Sequence, residues 1–296
     1  MEATRQYNAA FVWMICLVSA MGGLLFGYDW VVVGGARIFY EPYFHIETPE
    51  QDWWRGFTAS SALYGCLVGA WVSGACTDRY GRKLPLLVSG VLFTSSAIWT
   101  ALANDLVSFN MARVLGGIGI GLASNLSPLY IAEVSPAAKR GQFVSINQLT
   151  IVIGVLAAQI VNQLIGGGIE TGATADTIRE GWYGQTAWRW MFAAETIPAL
   201  SFFALLFIIP ESPRWLAKAG RWTQAQGVLQ RVGTAEYAAA EEESIRRALG
   251  SESEQSQPGL GVLFSHPIRP LLVLGIVLAV FQQWCGINAI FYYAPE

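Results

Sequence analysis

Runs of about 20 predominantly apolar residues recur along this chain, and at 1.5 Å per helical residue that length spans the ~30 Å of hydrocarbon in a bilayer. No water reaches the backbone there, so each run must satisfy its own N–H and C=O groups, which a helix does within one segment. The expected spans are Phe11 to Ala36, Phe57 to Thr77, Leu84 to Ala103, Leu106 to Ile131, Phe143 to Ile165, Trp188 to Ile209 and Leu271 to Tyr293. Composition agrees, with 53% hydrophobic and only 13% charged residues against about 25% charged in soluble domains. The expected class is all-α and polytopic. The first run has the outline of a signal peptide behind Arg5. It is too long for one, and it passes Gly22, Gly23, Gly27 and Asp29 without a small-residue cleavage site.

Asp29, Arg113 and Glu195 lie inside these spans. A charge at the bilayer centre costs roughly 2.5 to 3.5 kcal/mol, so three unpaired ones would cost ~7 to 10 kcal/mol. They must pair, or face a water-filled cavity. Lys and Arg in the short connections set the orientation: Arg79, Arg82 and Lys83, then Lys139 and Arg140, mark cytoplasmic loops. The acidic stretch from Arg37 to Arg55 then faces outward, and the N-terminus lies inside. Trp53, Trp54, Trp188 and Trp190 fall where amphipathic rings favour the outer interface. In this topology each of the three charges sits seven residues from an outer helix end, ~10 Å deep. An acid, a base and an acid at one level form either a packing salt bridge or an ion pathway. Two carboxylates competing for one guanidinium favour the pathway.

Other features exclude functions. Gly116, Gly117, Gly119 and Gly121 follow no strand and lie in an apolar span, so a dinucleotide loop is not indicated. The spacing of Gly23 with Gly27, Gly65 with Gly69, and Gly117 with Gly121 is instead the small-xxx-small pattern of close transmembrane packing. Cys16, Cys66, Cys76 and Cys285 have no metal-ligand spacing and read as packing residues. A net charge of -3 with no basic patch gives no sign of a nucleic-acid partner. His45 and His266 are loop residues from which no catalytic set can be assembled, so an enzyme is not expected, nor a cofactor. Residues 210–270 form the one sizeable polar region, with amphipathic helices at Gly220 to Val232 and Ala235 to Leu249 and a Ser/Glu/Gln linker at Ser251 to Pro258. Three units are expected: an N-terminal bundle over 1–209, a cytoplasmic helical linker over 210–270 and a seventh span over 271–296.

Several motifs follow one another in order. They are Gly23-Leu24-Leu25-Phe26-Gly27-Tyr28-Asp29, Asp78-Arg79-Tyr80-Gly81-Arg82-Lys83, Arg113-Val114-Leu115-Gly116-Gly117, and Pro128-Leu129-Tyr130-Ile131-Ala132-Glu133-Val134-Ser135-Pro136 with Arg140-Gly141. Then come Pro210-Glu211-Ser212-Pro213-Arg214-Trp215-Leu216 and Gln282-Gln283-Trp284-Cys285-Gly286-Ile287-Asn288 with Tyr292-Tyr293. Together they resemble the sugar porters of the major facilitator superfamily, with the closest likeness to bacterial xylose/proton symporters.

The resemblance implies two six-helix bundles, each of inverted three-helix repeats, in an inner (plasma) membrane, carrying a monosaccharide with a proton. It implies a sugar site at Phe26, Gln282, Gln283, Asn288 and Tyr293. Gln282 and Asn288 would point ~120° apart on a straight helix, so a bend at Gly286 is expected. Helix five departs from the likeness: Val155 stands where the xylose symporters carry a sugar-binding glutamine. Gln159 lies one turn on, as in the related glucose facilitators. A cytoplasmic gate is implied at Asp78, Arg79, Arg82, Glu133, Arg140, Glu211 and Arg214. Twelve helices are implied and the chain stops just past the seventh, so a piece of a sugar/proton symporter is expected, completed by its second bundle or a second half-transporter. The alternative is a non-transporting membrane sugar sensor or regulatory half-transporter.

Overall fold

The computed structural model describes residues 7–168, 174–254 and 268–286, and all its extended elements are helices. The order is α1 (Ala9–Tyr43), α2 (Asp52–Tyr80), α3 (Lys83–Leu102), α4 (Leu106–Val134), α5 (Arg140–Gly166), α6 (Ala175–Glu180), α7 (Trp188–Ala194), α8 (Thr196–Leu206), α9 (Pro213–Lys218), α10 (Trp222–Val232), α11 (Ala235–Glu254) and α12 (Arg269–Trp284). Helices α1 to α5 are long and apolar enough to cross a membrane. Starts are capped as the sequence allows: Asn8 Oδ1 accepts from Phe11 N at 3.1 Å, and Asp105 Oδ1 from Ser108 N at 2.8 Å.

Packing follows an inverted repeat. Helix α1 lies on α5 and α4 lies on α2, while α3 packs both on α4 and on the α7–α8 pair. Exchanging α1 with α4, α2 with α5, and α3 with α7–α8 turns the α1–α5 contact into the α4–α2 contact and the α3–α4 contact into the one that α1 also makes with α7–α8, and leaves α3 on α7–α8 unchanged, as two inverted three-helix units require. The glycine pairs set the closeness of both crossings. A Cβ on Gly27 would collide with the Ile151 carbonyl and one on Gly154 with the Leu24 carbonyl. Likewise Gly65 abuts the Val114 carbonyl, and Gly117 the Ala62 carbonyl. Small residues let the backbones meet, and packing across that contact supplies the attraction in lipid. Gly117→Val is therefore expected to destabilise the bundle by about 1 to 3 kcal/mol or more, measured as a lowered melting temperature in detergent.

Three local departures from the sequence expectations have physical causes. Helix α1 runs on to Tyr43 instead of ending near Ala36. Its added turns are held by the Arg37–Glu41 ion pair at 2.5 Å and by Phe39 and Tyr40, which are buried. The sixth span is interrupted at Glu195. Pro198 has no N–H to offer the carbonyl four residues back, and Glu195 N turns to Phe192 O at 3.1 Å. Trp188 is no interfacial ring: it is fully enclosed among Tyr43, Phe44 and Phe109, its Nε1 donating to Gly184 O at 2.9 Å. Trp190, 200° further round the turn, is 59% exposed.

The linker helices share the bundle's core. Trp215, Val228, Leu229 and Ile245 belong to one apolar cluster with Val12, Tyr130, Phe143 and Leu206. Asn8 N donates to Val232 O at 2.8 Å, tying the start of α1 to α10. Helix α11 continues to Glu254 through the expected Ser/Glu/Gln linker, whose remainder lies outside the described residues.

Candidate functional site

Asp29 on α1 and Arg113 on α4 form a two-pronged ion pair: Nη1 meets Oδ1, and Nη2 donates to Oδ2 at 3.1 Å. Their side chains are only 5% and 3% exposed. The Arg113 guanidinium also lies over the Phe192 ring, 5.4 Å from its centroid. Glu195, 3% exposed at the break in the sixth span, is close enough for the charges of both Asp29 and Arg113 to act on it. The three charges expected at one level are thus together. Two acids thus lie near one base in a buried setting, where charges act on one another more strongly than in water.

Between α1, α4 and α5 lies a partly open cleft of about 470 Å³ lined by Phe26, Ser124, Pro128, Asn147, Gln148 and Ile151, with none of the three charged residues in its lining. Phe26 meets Trp30 edge-on at 5.5 Å and leaves part of its ring to the cavity. Gln148 is exposed there, and among the described residues its amide makes no hydrogen bond. Sequence reading missed it. An amide in an apolar span, seven residues before Val155 and eleven before Gln159 on one side of α5, was the available signal. Gln159 is exposed and does not line this cavity. On α12, Gln282 is exposed and the helix ends at Trp284, with Gly286 at φ +74°, as the bend expected there requires. Asn288 and Tyr293 lie outside the described residues, as does the side chain of Gln283.

At the Gly81 end of the bundle the expected charged set divides. Glu211 accepts from the backbone N–H of Arg82 at 2.9 Å, Lys83 at 3.1 Å and Ser212 at 2.7 Å. Gly81 makes this possible: it sits at φ +89°, and a Cβ there would strike the Glu211 carboxylate. Arg82 grips Glu133 with two bonds, 2.8 and 2.7 Å, and Ser212 Oγ donates to the same carboxylate. At 10% and 9% side-chain exposure this is no weak surface pair. Asp78 pairs instead with Lys218 at 3.5 Å, both exposed, and Arg79 stacks on Tyr80. Among the described residues no carboxylate lies within ion-pair distance of Arg79, Arg140 or Arg214. Arg214 lines a cleft of about 170 Å³ with Arg82, Glu133 and Leu249.

A family model described as "Sugar (and other) transporter" matches residues 15–296. The D-xylose-proton symporter of Escherichia coli (strain K12) is 37% identical over 314 residues, covering 98% of this chain and 61% of that protein. The arabinose-proton symporter of Bacillus subtilis (strain 168) is 38% identical over 293 residues, covering 99% and 60%. Among solved structures, the xylose transporter XylE from E. coli in a partially occluded inward open conformation gives a TM-score of 0.82 at 36% identity, covering 97% of this chain and 66% of that one. The proton:xylose symporter XylE bound to 6-bromo-6-deoxy-D-glucose gives 0.83 at 36% identity, covering 98% and 63%. The chain spans about three fifths of the length of the curated relatives it matches.

Proposed function

The chain belongs to the sugar (and other) transporter family, whose members named here are transporters and not enzymes, and from that premise we propose that it carries a monosaccharide with a proton across a membrane. The observation that supports this most is the buried Asp29–Arg113 pair with Glu195 beside it. In the proposed cycle a proton binds a carboxylate oxygen of Asp29 and cancels its charge. Arg113 then loses its two-pronged partner and is retained by Glu195, and α1 and α4 are free to shift against each other. Ionised again, Asp29 recaptures the guanidinium. The pairing thereby links proton entry to the change of access.

The sugar is proposed to sit against Phe26 and Gln148, with Gln282, Gln283, Asn288 and Tyr293 approaching from the seventh span. A neutral, hydroxyl-rich pentose or hexose suits an aromatic face flanked by amides. Alternating access needs a facing bundle, on the same polypeptide or on a second copy. The positive-inside pattern supports a cytoplasmic N-terminus and a cytoplasmic position for the Arg82, Glu133 and Glu211 cluster. That cluster is proposed to hold the inner ends of the helices, with Arg140 and Arg214 facing the partner bundle.

Reconstituted in liposomes, the complete protein is expected to draw protons from the medium when xylose or glucose is added outside. Gln148→Ala is expected to raise the half-saturating sugar concentration about 5- to 150-fold, corresponding to ~1 to 3 kcal/mol for an unsatisfied polar partner. Sugar entry with no accompanying alkalinisation of the medium would contradict symport, and an unchanged sugar dependence would remove Gln148 from the site.

A further inference from the structure

Two consecutive residues of α1 reach two different helices. Successive side chains diverge by about 100° on a helix, so while Asp29 faces Arg113 on α4, Tyr28 faces the sixth span. Its hydroxyl donates to Met191 O at 3.1 Å, and the ring is buried at 3% exposure. That carbonyl is available because of the interruption. In an unbroken helix Met191 O would receive the N–H of Glu195, but Glu195 N bonds to Phe192 O instead.

The interrupted turn thus touches the charged pair from two sides. Phe192 lies beneath the Arg113 guanidinium, and Met191 is held by the neighbour of Asp29. Glu195 is close enough for its charge to act on the Tyr28 hydroxyl as well. Of the other helices around this point, α2 brings Cys66 within electrostatic reach of Asp29, while α5 presents Gly154, Val155 and Ala158, none of them ionisable.

We propose that Tyr28 is a positioning residue of the coupling site: by holding the Met191 carbonyl of the interrupted span, its hydroxyl fixes the Glu195 carboxyl beside the Asp29–Arg113 pair. A movement of α1 on protonation of Asp29 is then carried to the turn that bears Glu195. The hydroxyl acts through Glu195 and does not itself exchange the transported proton. This inference rests on the reading of Asp29 as the proton site.

The test is Tyr28→Phe, which keeps the ring and removes the donor, in the complete protein reconstituted with xylose. Uphill accumulation and sugar counterflow are measured across pH, alone and in a Glu195→Gln background. The ratio of accumulation to counterflow is expected to fall about tenfold, as for one buried hydrogen bond of ~1.4 kcal/mol, with an altered pH profile. No further fall is expected in the Glu195→Gln background. Tyr28→Gln, which restores a donor, is expected to recover part of the ratio. An unchanged ratio, an equal loss of both activities, or an undiminished effect without Glu195 would overturn the proposal. If Asp29→Asn abolishes accumulation while Tyr28→Phe behaves as wild type, this inference alone fails; if Asp29→Asn still accumulates sugar, the proton-site reading fails with it.

Discussion

Arg113→Met is expected to remove about 3 to 5 kcal/mol of stability, the usual loss when one partner of a buried ion pair is deleted. The two-pronged bond to Asp29 disappears, and Asp29 and Glu195 remain together without a cation at exposures of 3% each. Against a total stability of ~5 to 15 kcal/mol this is a large share. The loss comes from the uncompensated carboxylates and not from the missing methylenes, since Met nearly matches the apolar part of the side chain. The double variant Arg113→Met with Asp29→Asn is therefore expected to regain much of it. Thermal unfolding of the detergent-purified protein would check both. A drop under ~1 kcal/mol for the single variant would mean that water reaches the cluster.

Much of this centre was legible in the sequence because each clue was local in span and regular in period. Asp29, Arg113 and Glu195 stood out as charges inside apolar runs, although the depth counted for Asp29 took Ala36 as the end of a helix that runs on to Tyr43. The four-residue spacing of Gly65 with Gly69 and of Gly117 with Gly121 pointed to close helix packing, which the structure locates at the α2–α4 crossing. The resemblance pointed to Arg82, Glu133 and Glu211, which the structure brings to one end of the bundle. What was not legible depends on competition between neighbours. Hydropathy averages over Pro198 and so hides the break at Glu195, although the missing N–H was in plain view. The last turns of α1 are amphipathic, held by Arg37 and Glu41, and fall outside an apolar-run criterion. Trp188 and Trp190 look alike in sequence, and only the aromatic cluster of Phe44 and Phe109 separates them. Gln148 lies two turns before the position after Gly154, where the resemblance places the sugar-binding amide, and the motif says nothing of it. For Arg79, Arg140 and Arg214 the sequence supplied charge but not a partner, since partners at long separation are fixed by the fold.

The proton-site assignment is tested most directly by Asp29→Asn in the complete protein, measuring uphill sugar accumulation and sugar counterflow side by side. The amide keeps the shape of the carboxylate but cannot cycle between charged and neutral, so Arg113 is left in the state that protonation would produce. One proton crossing 100 mV supplies ~2.3 kcal/mol, enough for roughly 50-fold accumulation of a neutral sugar at ~1.4 kcal/mol per decade. The expected result is loss of that accumulation with counterflow continuing. Accumulation undiminished from that of the unaltered protein would contradict the assignment of Asp29 as the site where the proton is carried.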